Sequence, residues 1–253
     1  MGLFFSKLSR LLVNLLGVLV NLVEKSDIVI TKLSSVKVGK ISTEGALTID
    51  GNKQLFKDAL FFDLEHYIYK KPICIGVFGC CVYDEISKEL KVTQYMAENK
   101  KDAIEILSLA KNYFEEMKMK HNKNYIVTFS GNNDFTVINY LLKAHKTDFL
   151  LEGYFDEIDL QKCYEKAEGT CIGLKALEKK FEIDRESELI SGSNLAKTFG
   201  KIVKDDDYIN RMPQEKKDKI LLYNQQDVVS LFYIYIDWYN RINLKTEELT
   251  AQQ

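Results

Sequence analysis

Two acids stand two residues apart, Asp63 and Glu65, inside the apolar run Phe61-Phe62-Asp63-Leu64-Glu65. In an extended strand alternate side chains share a face. Both carboxylates therefore point one way, while Phe62 and Leu64 point the other way, into a core. Two like charges side by side on a buried strand are costly unless something pairs them, and a divalent metal ion does so most simply. On its own the pattern also fits a solvated strand end. Two further acids add weight to the chemical reading. Asp134 follows the turn Ser130-Gly131-Asn132-Asn133 and opens a helical stretch, where an Asp serves equally well as a helix N-cap. Asp227 closes Tyr223-Asn224-Gln225-Gln226-Asp227. Residues four apart on a helix share a face, so the Tyr223 hydroxyl and the Asp227 carboxylate point together. Ile220, Leu221, Leu222, Val228, Val229 and Leu231 surround them. That setting suits an enclosed acid, or a half-exposed one beside a core tyrosine.

These side chains need a scaffold. The patterning predicts strands over 60–65, 73–83 and 91–95, close enough in sequence for an antiparallel meander. Helical periodicity follows over 102–119, then a strand over 124–129 and a helix opened by Asp134. A short strand entering a helix is expected over 158–164, and short helices over 174–181 and 195–203, with a turn at Ser191-Gly192-Ser193. Pro213 suits the first position of a last, long helix reaching the region of Trp238. Three meandering strands followed by alternating helices and strands predict an α/β fold, a mixed sheet with helices on both faces. A metal site on such a sheet belongs at strand ends, near helix starts.

The chain has 253 residues, 46% hydrophobic and 28% charged, which predicts a well-filled core. Its formal net charge of −2 argues against a broad basic surface that wraps duplex nucleic acid. It leaves room for a local grip on a strand end. The lysines at 175, 179, 180, 197, 201 and 204 suit either such contacts or a solvated helix face. Cys74, Cys80, Cys81, Cys163 and Cys171 form no Cys-x-x-Cys pair, and the three histidines are scattered, so no zinc site is expected. Buried free cysteines point to a reducing, cytoplasmic setting.

Four segments are expected. Residues 1–25 form an amphipathic helix, 26–52 a connector able to add a strand or hairpin, 53–243 the main domain and 244–253 a polar tail. In the first segment Lys7, Arg10, Asn14, Gly17 and Asn21 make one narrow polar stripe on an otherwise apolar helix over 3–23. This helix is expected to pack on protein or to touch a membrane weakly. Its apolar stretch is short for a membrane span, and no small-x-small cleavage site follows it. Met1-Gly2-Leu3-Phe4-Phe5-Ser6 fits the loose myristoylation pattern.

The order of these motifs resembles the ribonuclease-H-like 3'-5' exonucleases named for four acids, Asp-Glu-Asp-Asp, in their tyrosine subtype, and most closely the YprB-like branch. The resemblance covers roughly residues 60–236. Phe62-Asp63-Leu64-Glu65 is similar to the first motif, and Thr128-Phe129-Ser130-Gly131-Asn132-Asn133-Asp134 to the second. Ile158-Asp159-Leu160, the stretch Gly173-Leu174-Lys175-Ala176-Leu177-Glu178 and Ser191-Gly192-Ser193 resemble the middle section. Tyr223 to Leu231 is similar to the third motif. Three positions depart from the pattern: Asn133 stands where a Phe is usual, His66 where a small Thr is usual, and Tyr223 where the related branch often has His.

The resemblance implies a metal-dependent nuclease that hydrolyses phosphodiester bonds with two Mg²⁺ or Mn²⁺ ions, acting from a 3' end on single-stranded DNA or RNA. Hard cations of this kind take carboxylate oxygens. The implied ligands are Asp63, Glu65, Asp134 and Asp227. Tyr223 would position the attacking water, with Asp227 and Glu65 beside it, and Asp159 would be a backup ligand or orient the site from behind. No nucleotide cofactor is implied. Two other readings stay open: a catalytically silent scaffold or nucleic-acid-binding module of the same fold, and a structure-specific endonuclease.

Overall fold

The computed structural model describes residues 22–25, 29–185 and 192–242, the first four by their backbone alone. Two strands lead in, β1 (Leu22–Lys25) and β2 (Ile30–Lys37). The meander follows as β3 (Ala59–Tyr69), β4 (Lys71–Asp84) and β5 (Glu89–Met96). Then come α1 (Asp102–His121), β6 (Tyr125–Thr128), α2 (Asn132–Ala144), β7 (Asp156–Asp159) and α3 (Leu160–Glu168). Four helices complete the chain: α4 (Leu174–Lys180), α5 (Gly192–Ile202), α6 (Gln214–Ile236) and the single turn α7 (Trp238–Arg241).

The seven strands form one sheet in the order β1-β2-β5-β4-β3-β6-β7. The meander pairs antiparallel, while β6 pairs parallel to β3 and β7 parallel to β6. Parallel neighbours need a crossover, and α1 and α2 supply them. The result is the mixed α/β sheet expected from the sequence. Alternation along β3 divides its side chains between two cores. Phe62 and Leu64 pack with Ile106, Phe114 and Ile138 of α1 and α2, the Phe62 and Phe114 rings 5.5 Å apart. Phe61 turns to the other face with Val228 and Phe232 of α6, Leu160 of α3 and Leu177 of α4, its ring 5.3 Å from that of Phe232. Each such ring contributes about 1.5–3 kcal/mol by leaving water.

The differences from the sequence expectation lie mainly at element ends. Residues 22–25, assigned above to the amphipathic helix, form β1, where they pair with β2. The rest of that helix, the whole Ser191 position and the polar tail lie outside the described residues. Gly192 and Ser193, read as part of a turn, start α5 instead. Pro213 is the N-cap of α6, one residue before the helix proper. Cys74, Cys80 and Cys81 are buried and all five cysteines are free. Among the described residues no helix is long and apolar enough to cross a membrane.

Candidate metal centre

The site is built on a row of residues that crosses three strands. Asp63 of β3 is paired with Gly79 of β4, and Gly79 with Gln94 of β5. This row faces α6. Gly79 has no side chain, so Asn224 of α6 seats directly over it; a Cβ at residue 79 would lie 2.0 Å from Asn224 Oδ1. Asn224 Nδ2 donates to Asp63 Oδ2 at 3.1 Å. Its Oδ1 accepts from Gln94 Nε2 at 2.8 Å, and the same amide donates to the Leu221 carbonyl at 2.8 Å. A polar row in an otherwise apolar layer thus sets the register of the helix on the sheet. Asp227 follows Asn224 by three residues and shares its face, so it meets the acids of β3.

One carboxylate oxygen each from Asp63, Glu65 and Asp227 lie within 4.8 Å of one another. Asp134 is buried in the first turn of α2, whose N-cap is Gly131. It is therefore not the cap that its position allowed. It stands outside the group of three, yet repulsion is felt between it and Asp63, Glu65 and Asp227. His66 Nδ1 comes to 3.6 Å from Asp134 Oδ1, beyond hydrogen-bond length. Burial lowers the His66 pKa, so at neutral pH the pair carries no ionic attraction.

The carboxyl groups are crowded. Burial pushes Asp63 up to about 6, against the pull of the Asn224 hydrogen bond and the Arg185 charge. Glu65 is raised well above its ordinary range by burial and then by Asp63, Asp227 and Asp134. Asp227 is raised by burial and by Asp63, opposed by Arg185. Asp134 is raised by burial, Asp63, Asp227 and Asp159. Protein cations in the site are too few to balance these acids. An all-oxygen, anionic donor set of this kind fits a hard divalent cation.

Tyr223 is buried at the rim of the site. Burial, Asp227 and Glu65 raise its phenol well above the usual value, so the hydroxyl keeps its proton. Asp159 is the N-cap of α3: its Oδ1 accepts from Gln161 N and from Ser130 N, both at 2.9 Å. Ser130 has a positive φ of 57°, a conformation that needs outside support. Asp159 therefore braces the turn that delivers Asp134. Asp159→Ala is expected to cost about 1–2 kcal/mol in denaturant unfolding, the value of a lost cap; an unchanged midpoint would remove that bracing role.

Four contributors were not singled out from the sequence: Gly79, Asn224, Glu178 and Arg185. A glycine inside an apolar strand is a signal for close backbone approach, and it would have pointed to Gly79. Glu178 is buried in α4 and Arg185 binds it through two nitrogens, Nε to Oε2 at 2.7 Å and Nη2 to Oε1 at 2.6 Å. Arg185 Nη2 also donates to Asp227 Oδ1. No local pattern marks that long-range pair.

The RNase_H_2 family model, of the RNase_H superfamily, matches residues 60–239. No curated protein and no solved structure matches the chain. The match starts at the β3 residues before Asp63, ends in α7 and takes in all the acids described above, over well more than half of the chain. This protein belongs to the RNase H superfamily.

Proposed function

We propose that this protein is a metal-dependent 3'-5' exonuclease of the YprB-like, tyrosine-subtype branch, hydrolysing phosphodiester bonds in single-stranded nucleic acid. The observation that carries the reading is the convergence of Asp63, Glu65 and Asp227 within 4.8 Å on a domain of this superfamily. In this reading Asp63, Glu65, Asp134 and Asp227 hold two Mg²⁺ or Mn²⁺ ions. Bound there, such ions stabilise the charge that develops on the attacking and leaving oxygens. The chain's own groups do the rest. Tyr223 stays protonated and orients a water by hydrogen bonding, without acting as a base. Glu65, whose charge acts on the Tyr223 phenol, stands beside that water. Asn224 fixes the Asp63 carboxylate, and Asp159 holds the turn before Asp134. Free, largely buried cysteines support a reducing, cytoplasmic setting.

The test is cleavage of a 5'-labelled single-stranded oligonucleotide, as DNA and as RNA, with Mn²⁺. A ladder shortening from the 3' end is expected. Asp227→Asn should slow it by at least about a thousand-fold, about 4 kcal/mol of barrier. Internal cuts lost in the variant would replace the exonuclease by an endonuclease. No cleavage of any strand, duplex or junction would favour the silent scaffold.

A further inference from the structure

Two of the lysines that suit phosphate contact meet two others at one surface groove. Lys197 and Lys201 of α5 and Lys216 and Lys219 of α6 line a volume of about 500 Å³. Lys197 and Lys201 are exposed, and Lys216 and Lys219 are half-buried. Tyr208 also lines the groove, with Lys201 Nζ 5.6 Å from the centre of its ring. Among the described lining residues the one acid is Glu215, and it is paired with Lys219 at 2.6 Å. Asp205 and Asp207, in the loop before Tyr208, are paired with Arg211. The groove is therefore locally cationic on a chain whose net charge is −2.

Its position ties it to the acids. Lys216, Tyr223 and Asp227 are spaced seven and four residues apart on α6, which puts them on one face of the helix. At about 1.5 Å per residue, Lys216 lies about 16 Å along the helix from Asp227, and Lys219 about 12 Å. A stacked strand of nucleic acid advances by about 3.4 Å per nucleotide, so a strand held at the acids reaches Lys216 within about five nucleotides. Cationic grooves that track the backbone, combined with aromatic side chains, hold single strands without reading their sequence.

We propose that this groove holds the sugar-phosphate backbone of a single-stranded nucleic acid, a few nucleotides to the 5' side of the bond cut at the acids, with Lys197, Lys201 and Lys216 as the phosphate contacts. The proposal rests on the 3'-5' nuclease reading of the acids and adds to it the path of the strand.

The experiment uses the full chain with Mn²⁺ and a 5'-fluorescein decanucleotide, as DNA and as RNA. Binding is read by fluorescence anisotropy between about 50 and 200 mM salt, in an Asp227→Asn background that leaves the strand uncut. The groove variant combines Lys197→Gln, Lys201→Gln and Lys216→Gln. A control variant combines Lys37→Gln, Lys40→Gln and Lys88→Gln. It removes the same charge around the start of β5, whereas α6 begins beside Glu98, just past the other end of that strand. Each single-strand phosphate contact contributes about 0.7 to the slope of log affinity against log salt. The groove variant is expected to lose about 2 from that slope, and at least about ten-fold in affinity at the lowest salt. The control should match its parent. Cleavage of a dinucleotide, too short to reach the groove, should be the same with and without the groove substitutions when residue 227 is Asp. If the triple variant fails to fold, Lys197→Gln with Lys201→Gln, both at exposed positions, carries the test with a loss of about 1.4 in slope. An unchanged slope in a folded groove variant would overturn the proposal. So would an equal loss in the control, a parallel loss on the dinucleotide, or no strand binding by the parent. The nuclease reading survives each of these if wild type cleaves the strand. If the groove variant loses strand binding while wild type cleaves nothing, the groove stands as a nucleic-acid site and the nuclease reading fails.

Discussion

Manganese is expected to raise the melting temperature of the wild-type protein by about 8–16 °C when its free concentration is a thousand times the dissociation constant. A ligand bound only by the folded state then contributes about 4.1 kcal/mol, and each kcal/mol moves the midpoint of a domain this size by about 2–4 °C. The shift must depend on pH, with a definite sign. Asp63 is held up to about 6, and Glu65, Asp134 and Asp227 are also raised, by burial and by neighbouring acids. Unfolded carboxyls titrate near 4. Without metal, these acids contribute stability that is fully present below about pH 4. It is lost as pH climbs through about 6 for Asp63 and through the raised range of its neighbours. Metal binds the deprotonated form and releases protons. Its stabilisation should therefore be small at pH 5 and large at pH 8. Asp63→Asn removes one of the repelling charges and one ligand. That variant should melt higher than wild type in metal-free buffer at pH 8, and should gain little from Mn²⁺. Thermal melts at both pH values, with and without Mn²⁺, read all of this. A Mn²⁺ shift of equal size at pH 5 and pH 8 would contradict the site as drawn.

Gly79→Ala is expected to be strongly destabilising, costing at least about 1–3 kcal/mol. The added Cβ would sit 2.0 Å from Asn224 Oδ1 and 2.7 Å from its other terminal atoms. Asn224 cannot swing aside, because it is wholly buried and bonded to Gln94 and Asp63. Either α6 lifts off the sheet, an overpacking cost of about 1–3 kcal/mol, or the Asn224 bonds break and leave buried polar groups unpaired, at about 1–3 kcal/mol each. The damage also reaches function, since α6 carries Asp227 and Tyr223. Urea unfolding gives the stability loss, and Mn²⁺ affinity should fall with it. A variant with wild-type stability would show that the helix does not lie as close to the strand as described. Gly76, two residues away, makes a comparison: a Cβ there would meet the Phe199 ring at 2.2 Å, an apolar neighbour on α5 that carries none of the acids.

Much of this protein was legible in the sequence because it depends on short-range periodicity. The two-residue period of a strand put Asp63 and Glu65 on one side and Phe62 and Leu64 on the other, and the two cores confirm that division. The helical period put Tyr223 and Asp227 on one face of α6. The meander, the order of helices and strands, and the helical position of Asp134 follow from the same local rules, with errors at element ends such as Gly192 and Pro213 and at residues 22–25, a strand where a helix was expected. What only the tertiary structure decided is how distant elements meet. The distance from Asp227 to β3 depends on the depth at which α6 sits, and that depth is set by a missing side chain on β4 and an amide on β5. The placement of Asp134 outside the tight group of three depends on where the Ser130 turn ends, which Asp159 controls from another strand. Arg185 reaches Asp227 directly across 42 residues of sequence, while Glu178 of α4 holds its other nitrogens. Such contacts are chosen by packing and by the pairing of buried charges. Both are properties of the folded whole, and no local window of residues encodes them.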